Sequence, residues 1–388
     1  MIIPTLSQEH QFGTQYNWSY FDEIGKIEKL EKRISKFEFT TFNVDVSSHG
    51  FENREIVLPK PNNSDTWDIG QYPTFRPCIY RLSDCIIHTG YGLVTIDGYL
   101  AKETTSHFPL HYFENSIFKN GTSSWNIVNE AQPQNVDFAL SCHHGIPDNY
   151  YHWLVLFLPK LYTAFLYTRY VKMEKTPAIL FPPISQEYQI LSAKSLAKYL
   201  KFPHFILEKF SKIHVNELFY PEPIGGIGLN PNYTVLETFR ILRDLLVIRG
   251  YSGPKKIFIS RSDTGRRKLS NENELADALF KRGFSTIILS NLSFREQISL
   301  FAQADVIVGQ HGAGLTNIGF CQRDAKLLEL HNPSYQNYCY RRLSALCGVE
   351  YDLVFGNEDE TTQGLHPDQL TMSVPIEEVL GLLDRIKW

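Results

Sequence analysis

This sequence shows no excess of one charge sign, no long apolar run, no Cys-x-x-Cys pair and no Asp-x-Asp pair. Lys and Arg total 38 and Asp and Glu 42, a formal net charge of −4. A chain so balanced is not drawn to nucleic acid by charge alone. Its most apolar stretch, Trp153 to Val171, is interrupted by Pro159, Lys160 and Arg169 and is too broken to span a bilayer. The start of the chain, MIIPTLSQEHQFGTQYNW, has no basic segment leading into an apolar one, as a secretory leader does. The expectation is a cytoplasmic setting, with room for docking at the inner face of the cell membrane. The six cysteines fit reduced thiols there. His107 and His111 have the spacing of metal ligands, but Pro109 between them works against a shared helix face, so no metal site is expected.

What is present is a globular composition, 43% hydrophobic and 21% charged, over 388 residues. That length suggests two or three domains with a large buried core. Residues 1–75 read as a polar, irregular extension with a short helix around 22–37. Cys78–Tyr80, Cys85–His88 and Gly92–Ile96 are β-type runs that suggest a small antiparallel sheet. From about 135 strands and helices alternate: a strand at 136–140, a helix at 150–170 kinked at Pro159, a strand at 178–181, a helix at 186–199, a strand at 217–220 and an amphipathic helix at 233–248. The pattern sharpens after the Gly250–Pro254 break. Strands are expected at 256–260, 286–289, 306–308 and 326–330. Helices start at the capping patterns Asn271/Glu274 and Ser293/Glu296, and two more are expected at 335–346 and 376–386. Alternation of this kind implies a parallel sheet with right-handed crossovers. The chain thus divides into the extension 1–75, a β-containing Rossmann-like unit at 76–248 and a second Rossmann-like unit at 252–388.

Ligands of such sheets bind beyond the carboxyl ends of the strands. Four features stand there or at a helix start. Arg261 follows the strand 256–260, and Arg266, Arg267 and Lys268 complete four cations within eight residues. Guanidinium groups suit phosphate oxygens, although a solvated basic loop has the same composition. Gly309-Gln310-His311-Gly312-Ala313-Gly314-Leu315-Thr316-Asn317 follows the strand 306–308. Its small residues allow close backbone approach, and a helix from about Gly312 would turn free N–H groups to an anion. The glycine order is not that of the dinucleotide fingerprint. Glu329, with His331, ends the strand 326–330 and could accept two ribose hydroxyls or form a salt bridge. His152, in Asn149-Tyr150-Tyr151-His152-Trp153, reads either as a packed core residue or as a general base at a helix start capped by Asp148 or Asn149.

Together, the strand ending in Ser260-Arg261, the helix start Asn271–Leu275, Ser293–Gln297, the run Ala304–Asn317, Leu328-Glu329 and the Asn149–Trp153 element resemble glycosyltransferase family 61. The resemblance covers about 75–350 and is strongest over 255–330. It implies an α/β fold of the GT-B type, two Rossmann-like domains facing a cleft, beside the small antiparallel region. It also implies inverting transfer from a nucleotide sugar, UDP-linked, with no other cofactor and no essential metal. Lacking an Asp-x-Asp pair to hold a cation, such an enzyme would neutralise the diphosphate with cations and a helix dipole. On this reading Arg261, Arg266, Lys268, His311, Gly312, Ala313, Gly314, Asn317 and Glu329 bind the donor, His311 as a hydrogen-bond donor to the diphosphate. His152 is the base, with Asp148 as runner-up. The absence of a membrane anchor makes the chain look like bacterial members of the family, acting on a glycan or lipid-linked acceptor in surface polysaccharide assembly. Two other readings compete: a catalytically silent sugar-nucleotide- or glycan-binding subunit of such an assembly, and a nicotinamide-dependent oxidoreductase.

Overall fold

Ile34-Ser35-Lys36-Phe37-Glu38 forms strand β1 (Ile34–Glu38), paired antiparallel with residues 78–82, where the spacing suggests the end of a helix. The rest of that expected helix lies outside the described residues. The structure is a computed structural model. It describes residues 33–38, 43–45, 71–73, 77–88, 92–97, 99–101, 104, 133–143, 147–207, 212–222, 231–335, 337–359, 362 and 369–386. Two compact units emerge, one formed by Met1–Phe42 with Thr74–Thr238 and one by Asn43–Pro73 with Phe239–Trp388. The boundary falls inside the amphipathic helix Tyr233–Leu246. Leu236, Phe239, Leu242 and Leu246 are buried along one side, and the first half, Tyr233 to Phe239, is buried all round.

The second unit includes β2 (Asn43–Asp45) and β3 (Gln71–Pro73), which pair antiparallel. In the first unit β4 (Cys78–His88), β5 (Leu93–Ile96), β6 (Tyr99–Leu100), β7 (Gln134–Ser141), β8 (Ala178–Phe181), β9 (His204–Ile206) and β10 (Lys212–Glu222) join β1 in one eight-stranded sheet. Its order is β6-β5-β4-β10-β7-β8-β9, with β1 against β4. The small antiparallel region is therefore not separate. Strand β10 runs antiparallel to β4 along one edge and parallel to β7 along the other. Only its second half is legible as strand in the sequence, because His214 and Asn216 interrupt the apolar run.

Asn149 caps the helix that follows β7, its Oδ1 accepting from His152 N–H at 3.1 Å. The expected kink takes the form of a wide π turn over Trp153–Phe157, after which Pro159 opens the helix Pro159–Tyr170. Pro159 has no N–H to give, and Leu158 N–H reaches back to the Trp153 carbonyl at 3.1 Å. The helix is buried almost all round. Trp153 donates its indole N–H to Ser192 at 2.8 Å and stacks on Phe157. Lys160, 1% exposed, donates to the His143 carbonyl and lies 4.2 Å over the Tyr220 ring.

Five strands build the second unit's main sheet: β11 (Lys256–Ile259), β12 (Ser285–Ile287), β13 (Val306–Gln310), β14 (Lys326–His331) and β15 (Glu350–Phe355). All pairings are parallel, in the order β12-β11-β13-β14-β15. Strand β15 follows the helix Cys339–Cys347 and has no counterpart in the sequence reading. Of the two capping patterns, only Ser293/Glu296 forms reciprocally. Glu296 Oε2 accepts from Ser293 N–H at 2.8 Å, and Ser293 Oγ accepts from Glu296 N–H at 3.4 Å. Asn271 does not cap. Its amide instead exchanges two bonds with the Val374 backbone, at 2.9 and 3.0 Å. That partner is a hundred residues away and has no local signature.

Two buried imidazoles in the first unit carry a pH dependence. Burial, helped by Lys212, pulls His88 from 6.5 to about 4, and burial with Lys160 pulls His143 to about 3. The unfolded chain takes up protons near pH 6.5 that the fold refuses. Stability is full above that pH and falls as the pH drops from about 6.5 toward the lower values. Each group adds a slope of up to about 1.4 kcal/mol per pH unit. His143→Gln is expected to flatten that acid slope in urea unfolding at stepped pH, and an unchanged slope would contradict this assignment.

Candidate functional site

The strand order reverses between β11 and β13. Such a switch point is where ligands bind in open parallel sheets, past the carboxyl ends. Arg261 stands just beyond β11 and His311 just beyond β13. Gly312 brings them together. A Cβ built on it would lie 1.9 Å from Arg261 Nη1, so the guanidinium fills the space a side chain would take. Gly314 allows a second close approach, to the Leu289 side chain at 2.7 Å from a built Cβ. Ala313–Phe320 continues as a 3₁₀ helix rather than an α-helix.

The basic loop is held from both ends. Glu272, in the first turn of the helix Glu272–Phe280, accepts from the Ser260 hydroxyl and from Arg261 N–H. Arg261 Nη2 donates to the Arg266 carbonyl at 3.2 Å. Arg267 adopts a left-handed conformation, φ 51°, and its guanidinium lies 5.3 Å over the Tyr335 ring. Arg266 and Lys268 on either side of it are exposed. The Nε atoms of Arg261 and Arg267 are both buried and have no acceptor. Burial first, and Arg267 second, lower the Arg261 pKa. Two partly desolvated guanidinium groups with donors to spare make a site for an anion with several oxygens.

Behind the turn is a buried polar network. His311 Nδ1 lies 2.5 Å from Glu329 Oε1, and the Tyr351 hydroxyl donates to Glu329 Oε2 at 2.6 Å. His331, Tyr335 and Tyr340 surround the His311 ring with centroids 5.0 to 5.2 Å away. Burial raises Glu329 to about 6, against the pull of His331, Tyr351 and Arg267. Burial, Arg267 and Arg261 hold His311 well below its usual range. His331, Tyr351 and Arg267 all favour the ionised carboxylate, and in that form it accepts Nδ1–H from the neutral imidazole. His311, Glu329 and His331 also bring one nitrogen or oxygen each within 4.8 Å of one another. Two ligands of a tetrahedral ion at about 2.0–2.1 Å would stand roughly 3.3 Å apart. The observed 2.5 Å is a hydrogen bond.

The structure thus gathers Arg261, His311, Gly312 and Gly314 at one place. Ala313 begins the 3₁₀ helix there. Asn317 is buried one turn on, its amide donating to Gln297 and to the Gly314 carbonyl at 3.1 Å each. Of the two readings of Glu329, the fold shows the contact with a cationic-type partner: it lies within β14, is 0% exposed, and its two oxygens face His311 and Tyr351. Glu272, Tyr335, Tyr340 and Tyr351 join the network with no local signal in the sequence, and Arg267 stands out from the other cations of its loop only in the fold. His152 is half-buried and exposed Asp148 accepts from the Tyr188 hydroxyl through its carbonyl at 3.1 Å, both in the first unit. His107 and His111 lie outside the described residues. No helix among the described residues is long and apolar enough to cross a membrane.

Residues 150–328 match the family model Glycosyltransferase 61. The chain is 32% identical over 191 residues to the EGF domain-specific O-linked N-acetylglucosamine transferase of Gallus gallus, covering 43% of this chain and 34% of that protein. The protein of the same name from Drosophila melanogaster is 31% identical over 138 residues, 33% of this chain and 26% of its own length. A beta-1,2-xylosyltransferase of Oryza sativa subsp. japonica is 28% identical over 138 residues, 31% of this chain and 26% of its own length. The chain thus spans about a third or less of these curated relatives. They are animal and plant transferases, and none of the three singles out a bacterial capsule-type branch.

The Tyr351–Glu329 bond gives a direct stability test. Tyr351→Phe removes one of two donors to a buried carboxylate and should cost about 1.5–3 kcal/mol in urea unfolding. An unchanged midpoint would show that the hydroxyl does not support Glu329.

Proposed function

We propose that this protein is a nucleotide-sugar glycosyltransferase whose second unit holds the donor diphosphate. The observation that carries the reading is the pair Arg261 and Arg267 at the β11–β13 switch point, with unused buried donors and a glycine turn pressed against one guanidinium. Transfer of a glycosyl group leaves a nucleoside diphosphate, whose charge must be met as the glycosidic bond breaks. Arg261, Arg267 and the first turn at Gly312 and Ala313 would meet it without a metal ion. Arg266 and Lys268 add positive field from the exposed side of the loop. Matches to a family of transferases over 150–328 support the same reaction class.

The donor is proposed to be UDP-linked and the transfer inverting. An acceptor hydroxyl attacks the anomeric carbon from the face opposite the leaving diphosphate, and a base takes its proton. His152 is the proposed base and Asp148 the alternative. The names of the relatives mention N-acetylglucosamine and xylose. UDP-N-acetylglucosamine and UDP-xylose are therefore the first donors to assay, with hydrolysis as the readout before an acceptor is known and with EDTA present or absent.

Arg261→Ala should weaken UDP binding roughly ten- to 150-fold, the loss of one charge-assisted pair. Calorimetric titration of the folded variant checks this, and unchanged affinity would remove Arg261 from the donor site. His152→Ala should keep UDP affinity within a few-fold while kcat falls about 10²–10⁴-fold. Near-normal turnover in that variant would exclude His152 as base.

A further inference from the structure

His311 has two ring nitrogens, and the network behind it commits one. Nδ1 faces a carboxylate oxygen of Glu329 at 2.5 Å, and the other oxygen of that carboxylate already accepts from Tyr351. Arg267 beside it and the Tyr351 hydroxyl favour the ionised carboxylate, which only accepts, and this places the hydrogen on Nδ1. The rings of His331, Tyr335 and Tyr340 pack around the imidazole, which is 5% exposed, and resist the flip that would exchange its nitrogens. The charged groups around it are Arg261, Arg267 and Glu329, and the two cations oppose a second proton on the ring. What remains for a ligand is Nε2, bare and able only to accept. Phosphate oxygens also only accept, so an imidazole fixed this way repels a diphosphate rather than binding it.

We propose that Glu329 is a positioning residue that holds His311 as the Nδ1–H tautomer, and that His311 Nε2 accepts a hydroxyl of the nucleotide-sugar donor beside the arginine-bound diphosphate. This rests on the donor site proposed above and reverses the role the sequence suggests for His311. The hydroxyl belongs either to the ribose or to the transferred sugar, and the ligands used in the test separate the two.

The first measurement needs no ligand. In protein labelled with ¹⁵N-histidine, long-range nitrogen–proton correlation distinguishes the two neutral tautomers and the imidazolium. The His311 signals, assigned by their shift in Tyr351→Phe, are expected to show Nδ1 protonated and Nε2 bare at pH 7. In Glu329→Gln, whose amide can donate as well as accept, they are expected to average toward a mixture. Imidazolium or an Nε2–H tautomer in the wild type overturns the proposal, and so does an unchanged pattern in Glu329→Gln. The second measurement titrates inorganic pyrophosphate, UDP and UDP-N-acetylglucosamine into wild type and His311→Asn. Asparagine keeps a donor where Nδ1 stood and has no atom where Nε2 stood. Pyrophosphate affinity should stay within twofold, while the hydroxyl-bearing ligand loses about three- to tenfold. Loss with UDP assigns a ribose hydroxyl, and loss with the nucleotide sugar alone assigns a sugar hydroxyl. Equal loss for pyrophosphate, or no loss at all, overturns the contact. If the wild type binds none of the three, the donor-site reading falls, while the ligand-free spectra still decide the role of Glu329.

Discussion

Strands β11 and β13 lie side by side, yet their connections leave toward opposite neighbours, β12 and β14. No crossover covers the carboxyl ends of that pair, and the rest of the site depends on this one opening. Whatever follows β11 and β13 in sequence is delivered to it. The Arg261 loop and the His311 turn are those segments. Gly312 then sets how near they come, because any side chain there would displace the Arg261 guanidinium.

A site that gathers positive charge needs its imidazole kept from adding more. Glu329 supplies the balancing charge, but at a buried position where a carboxylate resists ionisation. Tyr351 and His311 make the charge tolerable by donating to its two oxygens. The arrangement is mutually dependent: Glu329 orients His311, Arg267 favours ionised Glu329, and both arginines keep His311 neutral. Removing one member leaves a buried polar atom without its partner, which is why such networks tolerate few substitutions. The first unit solves a similar problem around Lys160, whose ammonium finds a carbonyl and the face of Tyr220.

Legibility of the fold tracked how local its causes were. Ser293 and Glu296 satisfy one another across a single turn, and their pattern gave the right helix start. Asn271 and Glu274 show the same pattern, but Val374 supplies better partners for the Asn271 amide. β15 carries a weak strand pattern because Tyr351-Asp352-Leu353-Val354 breaks its apolar run with an aspartate. β1 has no strand pattern of its own: Ile34 and Phe37 fit helical spacing, and pairing with residues 78–82 makes the segment a strand. In the site, Arg261 and His311 were legible from their place after strands. Arg267 was not, since nothing in Arg266-Arg267-Lys268 says which cation turns inward; in the fold Arg267 lies over the Tyr335 ring while Arg266 and Lys268 are exposed.

By itself the sequence determined the alternation of strands and helices after residue 255, the position of the basic loop and glycine turn at strand ends, and the likeness to a transferase family. These follow from periodicity and neighbour chemistry, which act over a few residues. Tertiary structure alone decided the strand order, which makes β11 and β13 neighbours although a strand and three helical segments separate them in the chain. It also turned Glu329 from an open strand end into a buried acceptor for His311 and Tyr351, residues 18 and 22 positions away. Hydrogen-bond partners so distant leave no local pattern, and only the folded sheet brings their atoms within reach.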